Sequence, residues 1–579
     1  MPELLRRANG TCRRSSETSC SYIPHRPEET LLHRVVRDQI ETFLARARER
    51  EHPVPRFVER ELRAYLACGV LARGFLRLHC DACGRDRLLA FSCKNRGLCP
   101  SCGGRRMADT AAHLVDCVLP EVPVRQWVLT LPYPLRYRCL YDSRLTSQVL
   151  RAFLRALFAE LRRRVRRQWS LRRGQCGAVT FIQRFGSALN ANLHFHTLAL
   201  DGVYATGAGA PTRFLPLPPP NADEVARVLA GTARRIARLL GSRAEGDDDP
   251  LARDEPLLAT LAAASLRTRI ASGPHAGERW RRLGDRIESQ EAEADPEASA
   301  RVPQHAGMSL HADVAVPARD RRRLERLCRY VARPPLASER LVEQSDGRLA
   351  LRLKTRWRDG TTHILMERHE LLERLVPLIP PPRAHQVRYH GVLAPCASAR
   401  DQVAPGPRQP LGPVPGEPEA KETGAAAIPA SAGARPAGPQ RPLRAKPSAA
   451  AGPPCSLGPG ATDPSAQGAS EALPRGGEPI DPTMAARRPP RRLPWAGLLQ
   501  RVFATDGLRC ECGARMRLVA AIEDPDVARK ILECLDLPAR APPLAPAAPE
   551  GSSWNDSEFA DEESPWAVDP TDPDPDGWA

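Results

Sequence analysis

The 579-residue sequence lacks a long apolar run and contains little lysine. Without about 18 consecutive apolar residues, no membrane-spanning helix is expected, and we predict no membrane partner. Lysine and arginine number 85 against 68 acidic residues, for a net charge of +17. The lysines among them are Lys94, Lys354, Lys421, Lys446 and Lys530. This preference for arginine over lysine is explained as well by genome composition as by recognition of a ligand. The excess positive charge favours a nucleic-acid partner.

The cysteine content indicates the chemistry of the compartment. The count of 17 is odd, so at least one cysteine is unpaired within the chain, and several lie in Cys-x-x-Cys pairs. The start of the sequence shows no secretory signal. Both observations favour a reducing cytoplasm and bound metal over a disulfide framework.

Two Cys-x-x-Cys pairs stand 15 residues apart, Cys80 with Cys83 and Cys99 with Cys102. Four thiolates in two tight turns suit tetrahedral Zn²⁺, which replaces a core that so short a segment cannot build. We therefore predict one zinc site from these four cysteines. The remaining candidate ligands nearby are Cys93 and His79, and we interpret Cys93 as a buried or redundant thiol. Three arginines around the pairs are candidates for DNA phosphate contacts, although a solvated basic face fits equally well. They are Arg96, Arg105 and Arg106.

Residues 190–202 read as a β-strand that ends in an Asp-Gly turn. The two-residue period of a strand places His194 and His196 on one face. The other face carries Leu193, Phe195 and Ala199. Two neutral imidazoles aimed at one point can hold a divalent cation that polarises a phosphodiester. The alternative is a pair of hydrogen-bonded histidines on a half-buried strand.

The third ligand of such a site is left open by the sequence. His311 and Asp313 share one face of a strand predicted over residues 308–316, and either is a candidate. A surface pair with no metal is at least as compatible with that pattern. Asp201 is a further candidate, but its position before Gly202 favours a hairpin turn.

Residues 319–335 predict an amphipathic helix that a double proline ends. Its apolar stripe consists of Leu324, Leu327, Cys328 and Val331. Tyr330 falls on the flank of that stripe, beside Arg323, Arg326 and Arg333. Guanidinium groups bind phosphate bidentately and favour a phenolate. Together with the histidine pair, this suggests a tyrosine nucleophile that attacks a metal-polarised DNA phosphate. Tyr389 is a rival nucleophile that lacks this helical, arginine-flanked setting.

The histidine pair followed by a tyrosine on an arginine-rich helix resembles the HUH endonucleases. The chain also resembles the rolling-circle insertion-sequence transposases that carry a transposase zinc-binding domain, including the ISCR group. The motifs for this closer resemblance are Cys80-x-x-Cys83-Gly84, the stretch from Phe91 to Cys102, Arg105-Arg106-Met107, the stretch from Trp127 to Pro134, the stretch from Arg329 to Pro335, and the stretch from Arg388 to Leu393.

That resemblance implies a DNA transposase that cleaves and rejoins single-stranded DNA through a 5′-phosphotyrosine. Tyr330 would be the nucleophile, Arg326 and Arg333 would position the phosphate, and the two histidines would hold Mg²⁺ or Mn²⁺. The zinc domain would help to bind the DNA end of the element. Some relatives carry two tyrosines one helical turn apart, whereas positions 326 and 334 here are Arg and Pro. A single-tyrosine cycle needs sequential use of Tyr330 or a second subunit in a homodimer.

Two other functions remain open from the sequence. A replication initiator or relaxase would use the same chemistry on a different DNA. A zinc-dependent DNA-binding regulator would bind DNA with an inactive nuclease domain, although the joint presence of His194, His196 and Tyr330 argues against that alternative.

We predict an α+β fold, with an antiparallel sheet flanked by helices as in HUH nucleases, behind a small four-cysteine zinc domain. The predicted segments are a leader (1–29), the zinc-binding domain (30–115), the catalytic domain (116–394), a disordered Pro/Ala/Gly linker (395–488), a small C-terminal module (489–540) and an acidic disordered tail (541–579). In the C-terminal module, Cys510 and Cys512 supply at most half of a zinc site. Cys534 is a third candidate ligand there, and no fourth is evident.

Overall fold

The structure is a computed structural model. It describes residues 26–171, 174–207, 210–241, 249–283, 303–357, 359–405, 493–503 and 505–548. The described residues 26–405 and 493–548 belong to one compact unit. Among the described helices, none combines the length and the apolar composition needed to cross a membrane.

The N-terminal region pairs three helices with a small sheet. Its elements are α1 (Leu31–Glu49), α2 (Arg56–Ala67), β1 (Phe75–His79), β2 (Asp86–Ala90) and α3 (Pro100–Cys117). Helix α1 begins after Thr30, whose side-chain oxygen accepts a hydrogen bond from the backbone of His33. Helix α3 begins after Cys99, whose sulfur caps the backbone N–H of Cys102. The apolar periodicity of residues 30–50 and of residues 58–66 is helical, in agreement with α1 and α2.

The central region contains most of the helices and strands. Its helices are α4 (Tyr133–Tyr141), α5 (Ser143–Trp169), α6 (Ala222–Gly241), α7 (Pro250–Asp254), α8 (Pro256–Leu266), α9 (Arg321–Val331), α10 (Arg368–Leu375) and α11 (Arg400–Val403). Its strands are β3 (Val124–Thr130), β4 (Gly177–Phe185), β5 (Ala191–Leu200), β6 (Gly202–Gly207), β7 (Ala210–Pro216), β8 (Gln304–His305), β9 (Met308–His311), β10 (Ala315–Val316), β11 (Leu341–Glu343), β12 (Leu349–Arg352), β13 (His363–Met366) and β14 (Val387–Gly391). Helix α6 begins with a capping box, because Asn221 and Glu224 each accept a hydrogen bond from the other's backbone N–H.

Seven strands form the central sheet, in the order β14-β4-β5-β3-β9-β8 with β10 also paired to β3. All of these pairings are antiparallel. The predicted α+β architecture with an antiparallel sheet is therefore confirmed at this level.

Strand β5 lies in the middle of the sheet and is buried along its whole length. As the two-residue period predicts, Leu193 and Phe195 pack into the larger core, which contains residues of α5, α6 and α8. Leu198 and Leu200 face a second core, which contains residues of α3 and α9. The histidines share this second face. Because helices cover both faces, the histidines are shielded from bulk water.

The hairpin predicted at Asp201 is wrong. Strand β6 continues from β5 but pairs with β7 in a separate two-stranded sheet. The buried Asp201 carboxylate accepts a hydrogen bond from Arg125 Nε at 2.9 Å, so its role is a structural ion pair rather than metal ligation. Gly202 is needed for a close approach, since a Cβ there would lie 2.3 Å from the Leu215 carbonyl oxygen.

The C-terminal region contributes α12 (Trp495–Phe503), β15 (Arg517–Ile522) and α13 (Pro525–Cys534), in agreement with the helices predicted near 493–503 and 527–535. It is not a separate layer, because β15 pairs antiparallel with β1 and extends the N-terminal sheet to the order β15-β1-β2. The register runs from Phe75 opposite Ile522 to His79 opposite Arg517.

Some predicted segments fall differently in the structure. Residues 395–405, expected to begin the linker, include α11. Residues 541–548, expected to begin the tail, are described, and the backbone of Ala548 donates a hydrogen bond to the Thr42 hydroxyl at 3.0 Å. Residues 26–29 of the expected leader include a short 3₁₀ helix, Pro27–Glu29. The remainder of the leader, linker and tail lies outside the described residues, and the domain boundaries stay predictions.

Candidate active site and metal centres

His194 and His196 lie side by side on the buried face of β5. Both are at most 1% exposed, and their Nε2 atoms are 3.0 Å apart. Two adjacent ligands of an octahedral ion at about 2.1 Å would also stand about 3.0 Å apart. The spacing of the two nitrogens thus fits a shared divalent cation.

Neighbouring groups orient both rings. The Nδ1 atom of His194 lies 2.9 Å from the Asn192 carbonyl oxygen, so Nδ1–H donates to that oxygen and the lone pair stands on Nε2. The Nδ1 atom of His196 lies 2.8 Å from the side-chain amide of Gln126. A half-turn of that amide presents its oxygen to Nδ1–H, which frees Nε2 for a metal. Burial, followed by the effect of His194, holds the pKa of His196 well below its usual range, so this ring is neutral.

Gln183 supplies a third donor atom that the sequence analysis missed. It lies on β4 directly opposite His194, and its Oε1 is 3.1 Å from His196 Nε2. Its Nε2 donates to the Val331 carbonyl oxygen at 3.2 Å, which fixes the direction of the amide oxygen. The sequence did contain a signal for this residue. Gln183 is a polar residue within a strand that is buried on both faces. Metal-ligand patterns built on carboxylates and imidazoles overlook such an amide.

The third ligands considered from the sequence lie elsewhere. His311 Nε2 is 3.3 Å from the carboxylate of Asp313, on a strand that β3 separates from β5. Within the described residues, no carboxylate or third histidine joins His194 and His196 in a cluster of metal ligands. Gln183 is therefore the better-placed donor.

Tyr330 lies next to the histidine pair. Its half-buried ring meets the ring of His196 edge-on, with 6.1 Å between centroids. The guanidinium of Arg333 lies 4.6 Å from the centre of the Tyr330 ring. The Arg333 Nη1 atom is buried and finds no hydrogen-bond partner among the described residues. A phenol and an unsatisfied cation thus converge at the metal-binding face.

Lys354 is a further cation at the Tyr330 ring, and the sequence analysis did not identify it. It follows β12, and its Nζ lies 3.9 Å from the centre of the Tyr330 ring. Although much of the side chain is exposed, partial loss of hydration at the ammonium, followed by the nearby Arg333 and Arg340, lowers the pKa of Lys354 to about 8. A lysine in a chain whose cations are nearly all arginine was the available signal.

The other predicted phosphate-binding arginines fall into two groups. Arg105, Arg323 and Arg326 are exposed. Arg96 donates to the Ala384 carbonyl oxygen at 2.8 Å, and Arg106 donates to the Lys94 carbonyl oxygen at 2.5 Å. Arg96 and Arg106 therefore have structural contacts within the protein, whereas the exposed group remains available for a polyanion.

The rival nucleophile Tyr389 is farther from the histidines. It lies on β14 opposite Val179, which is four residues from Gln183 along β4. Four residues of strand span about 13 Å. The guanidinium of Arg400 lies 5.9 Å from its ring centre. The structure thus favours Tyr330.

The four cysteines predicted to share one zinc ion do not meet. Cys99 and Cys102 cluster with Cys68 and Cys93, whereas Cys80 and Cys83 cluster with Cys510 and Cys512. The single predicted site is corrected to two clusters. Cys80 and Cys83 lie in the turn between β1 and β2, at one end of the small sheet. Cys99 and Cys102 lie at the start of α3. The two pairs therefore occupy different places in the fold.

The first cluster lies in the interior of the N-terminal region. Its Sγ–Sγ distances include 3.6 Å between Cys68 and Cys102, 3.5 Å between Cys93 and Cys102, and 3.6 Å between Cys99 and Cys68. A tetrahedral zinc ion at 2.3 Å from each sulfur gives about 3.8 Å between sulfurs. Cys93, interpreted from the sequence as redundant, is thus a ligand candidate, and so is the isolated Cys68.

This cluster contacts the segment that carries the nucleophile candidate. Gly103 follows Cys102, and a Cβ at Gly103 would lie 2.6 Å from the Cβ of Pro334. Pro334 is next to Arg333. The zinc region therefore packs directly against the end of α9.

Comparison with known families identifies two parts of the chain. Residues 177–401 match the family described as "Putative transposase", and residues 35–131 match the transposase zinc-binding domain. The first range includes Gln183, the histidine pair and Tyr330, and the second includes the whole first cysteine cluster. Over these two ranges the chain is similar to DNA transposases that carry a zinc-binding domain, including those of the IS91 type. No curated protein and no solved structure matches the chain.

Replacing Gln183 with Ala should weaken Mn²⁺ binding about 10- to 100-fold, because the site loses one of its three donor atoms. Titration of the zinc-loaded protein with Mn²⁺, followed by electron paramagnetic resonance, measures this. The matched control is Gln344→Ala, in the turn between β11 and β12, which should bind as the wild type does. Equal affinity in both variants would remove Gln183 from the metal site.

Replacing Gly103 with Ala should lower DNA cleavage about 10- to 100-fold, because the new methyl group displaces Pro334 and with it Arg333. The zinc content, measured by mass spectrometry of the metals, should stay that of the wild type. Gly104 is the control, since a Cβ there meets nothing within 4 Å. Unchanged cleavage by Gly103→Ala would show that this packing does not position the site.

Proposed function

We propose that the chain is an HUH-type transposase that cleaves and rejoins single-stranded DNA through a 5′-phosphotyrosine on Tyr330, in rolling-circle transposition. The carrying observation is the edge-on approach of the Tyr330 ring to His196 at 6.1 Å. The phenol lies beside the metal-binding nitrogens and between two cations. This is the arrangement that attack on a polarised phosphate requires.

The donor set fits a catalytic divalent cation. His194 Nε2 lies 3.0 Å and Gln183 Oε1 lies 3.1 Å from His196 Nε2, so two imidazole nitrogens and one amide oxygen converge there. A mixed nitrogen and oxygen set that leaves other positions open suits Mn²⁺ or Mg²⁺. His194, His196 and Gln183 would hold the ion, which when bound polarises a phosphate oxygen and shields charge in the transition state.

The residues of the chain account for the rest of the step. The phenol of Tyr330 gives its proton to water, and its oxygen attacks the scissile phosphorus. The Tyr–O–P bond forms as the bond to the 3′ oxygen breaks, and that oxygen leaves with the electron pair and takes up a proton. Arg333 and Lys354 stabilise the phenolate and the phosphate. The ester conserves the bond energy, so a later 3′-hydroxyl reverses the step and joins strands without ATP.

The DNA partner follows from the charge of the surface. The net charge of +17 and the exposed Arg105, Arg323 and Arg326 favour contacts with the phosphate backbone. A single strand at the element end or at the target can bring its backbone to the half-buried Tyr330. One tyrosine per chain holds one strand, so the cycle uses Tyr330 twice or draws on a second copy of the chain.

Covalent capture tests the nucleophile. The wild-type protein, incubated with labelled single-stranded element ends and Mn²⁺, should give a protein–DNA band on a denaturing gel. Tyr330→Phe removes the attacking oxygen and His194→Ala removes a metal ligand, so both should abolish the band. Tyr389→Phe is the matched control and should retain it.

Two results would overturn the assignment. A band that persists in Tyr330→Phe would move the chemistry to another residue. No band from the wild type on several DNA ends, despite tight binding, would favour a DNA-binding regulator without nuclease activity.

The pH dependence of cleavage tests Lys354. Because its pKa is lowered to about 8, its positive charge is present below that pH and is lost as the pH rises above it. Lys354→Arg keeps the charge throughout. The ratio of the variant's cleavage rate to that of the wild type should therefore rise between about pH 7 and pH 9. Single-turnover rates across this range measure the ratio, and a constant ratio would exclude a role for the ammonium.

A further inference from the structure

Cys80 and Cys83 lie beside Cys510 and Cys512, from the opposite end of the chain. The Sγ atoms are 3.5 Å apart for Cys83 with Cys510, which are separated by 427 residues, and 3.5 Å apart for Cys80 with Cys512. A disulfide would require about 2.05 Å, whereas four thiolates around zinc stand about 3.8 Å apart. We propose that these four cysteines bind a second zinc ion, which fastens the C-terminal region to the N-terminal region.

The two halves of this cluster are similar turns that differ in length by one residue. In the first, the Gly84 backbone N–H donates to the Cys80 carbonyl oxygen, four residues earlier, at 2.8 Å; in the second, Gly513 donates to Cys510, three residues earlier, at 2.9 Å. Both glycines have left-handed backbones, with φ of 72° and 89°. This conformation allows each turn to fold its two sulfurs to one side. Two cysteine turns that face each other are typical of a zinc ribbon.

The strands behind the turns place them face to face. Strand β1 ends just before Cys80, and β15 begins shortly after Cys512. Because the two strands are paired antiparallel, both cysteine turns lie at the same end of the sheet. The backbone N–H of Cys80 donates to Arg85 at 2.9 Å, and that of Cys510 donates to Ala514 at 2.8 Å. The cluster is thus built by two similar turns on paired strands rather than by chance proximity of exposed thiols.

Apart from the cysteines, this joint consists of the pairing of β15 with β1, two small apolar clusters and several ion pairs. The ion pair between Arg517 and Asp81 at 2.8 Å is about 60% exposed on each side, and such pairs contribute little. Leu518 and Val519 on β15 are 58% and 45% exposed. Because the apolar clusters are small, we expect bound metal to contribute much of the stability of the joint.

The joint reaches the proposed active site through α12. Arg501 on α12 contacts Asp116 on α3 at 2.5 Å and Glu325 on α9 at 2.8 Å. Glu325 lies on the helix that carries Tyr330. Zinc at the second cluster therefore holds α12 against that helix, and this consequence, unlike the zinc site itself, rests on the proposed function.

Zinc content tests the site directly. Wild-type protein purified in zinc-containing medium should hold about two zinc ions per chain, as two four-cysteine clusters require. The double variant Cys510→Ser, Cys512→Ser should lose one. The control Cys534→Ser removes an exposed cysteine of the same region that is outside the cluster, and it should keep both. One zinc per chain in the wild type, or an unchanged content in the double variant, would overturn the proposal.

A second measurement addresses the joint. A protease site inserted between residues 405 and 493 allows the folded full-length protein to be cut between the two regions. In zinc-containing buffer the wild-type and Cys534→Ser fragments should co-elute in size-exclusion chromatography. The double variant's fragments should separate, as should wild-type fragments after chelation. Separation of wild-type fragments with zinc present, or co-elution of the double variant's fragments, would overturn the proposal.

Neither measurement depends on DNA cleavage. A failure of the tyrosine chemistry would leave the zinc content and the co-elution unchanged. A failure of the zinc proposal would leave covalent capture by Tyr330 unchanged, so the two results remain distinguishable.

Discussion

The burial of two imidazoles on one face of β5 constrains the rest of the structure. In a low-dielectric interior a charged ring is costly, and an unpaired ring nitrogen is costly as well. Burial holds the pKa of His196 well below its usual range, so this ring is neutral. The ring nitrogens of the pair lie within hydrogen-bond distance of the Asn192 backbone and of the side chains of Gln126 and Gln183. Gln183 reaches both His196 and the end of α9. The same interactions that make the histidines tolerable inside the protein bring the helix of Tyr330 to them.

Helix α9 is fixed from three directions. From the central sheet, the Gln183 side chain donates a hydrogen bond to the Val331 carbonyl oxygen. From the first cysteine cluster, Gly103 in the first turn of α3 packs against Pro334, just beyond α9. Arg501 holds Glu325 from the C-terminal region. A nucleophile must stand within a fraction of an ångström of its reacting geometry, and a helix fixed at several points loses little entropy when substrate binds. The contact of the C-terminal region with α9 is consistent with the proposed role of Tyr330 as the nucleophile.

The sequence could predict those parts of the site whose geometry is local. The two-residue period of β5 places both histidines on one face of the strand. The 100° step of the helix places Tyr330 on the flank of its apolar stripe, three residues before Arg333. The partition of the cysteines could not be predicted, because Cys-x-x-Cys spacing fixes each pair but not which pairs meet. Cys68 belongs to no pair, and the partners of Cys80 come from a strand pairing between the two ends of the chain. Gln183 was missed for a related reason, since an amide acquires a ligand's role only from its position opposite His194.

The same limit applies to Lys354 and Arg333, whose meeting at one ring depends on tertiary structure. Burial, followed by Arg333 and Arg352, lowers the pKa of Arg340 to about 10. Partial loss of hydration, followed by repulsion from Arg333 and Arg340, lowers the pKa of Lys354 to about 8. Folding therefore concentrates positive charge at the phenol without a described carboxylate to neutralise it at Arg333 Nη1. In the proposed function, a bound phosphate would relieve the repulsion among these cations and would satisfy the unpartnered nitrogen in the same contact. A site arranged in this way is preorganised for an anion. The cations are brought together when the protein folds, so no further reorganisation is needed when the anion binds.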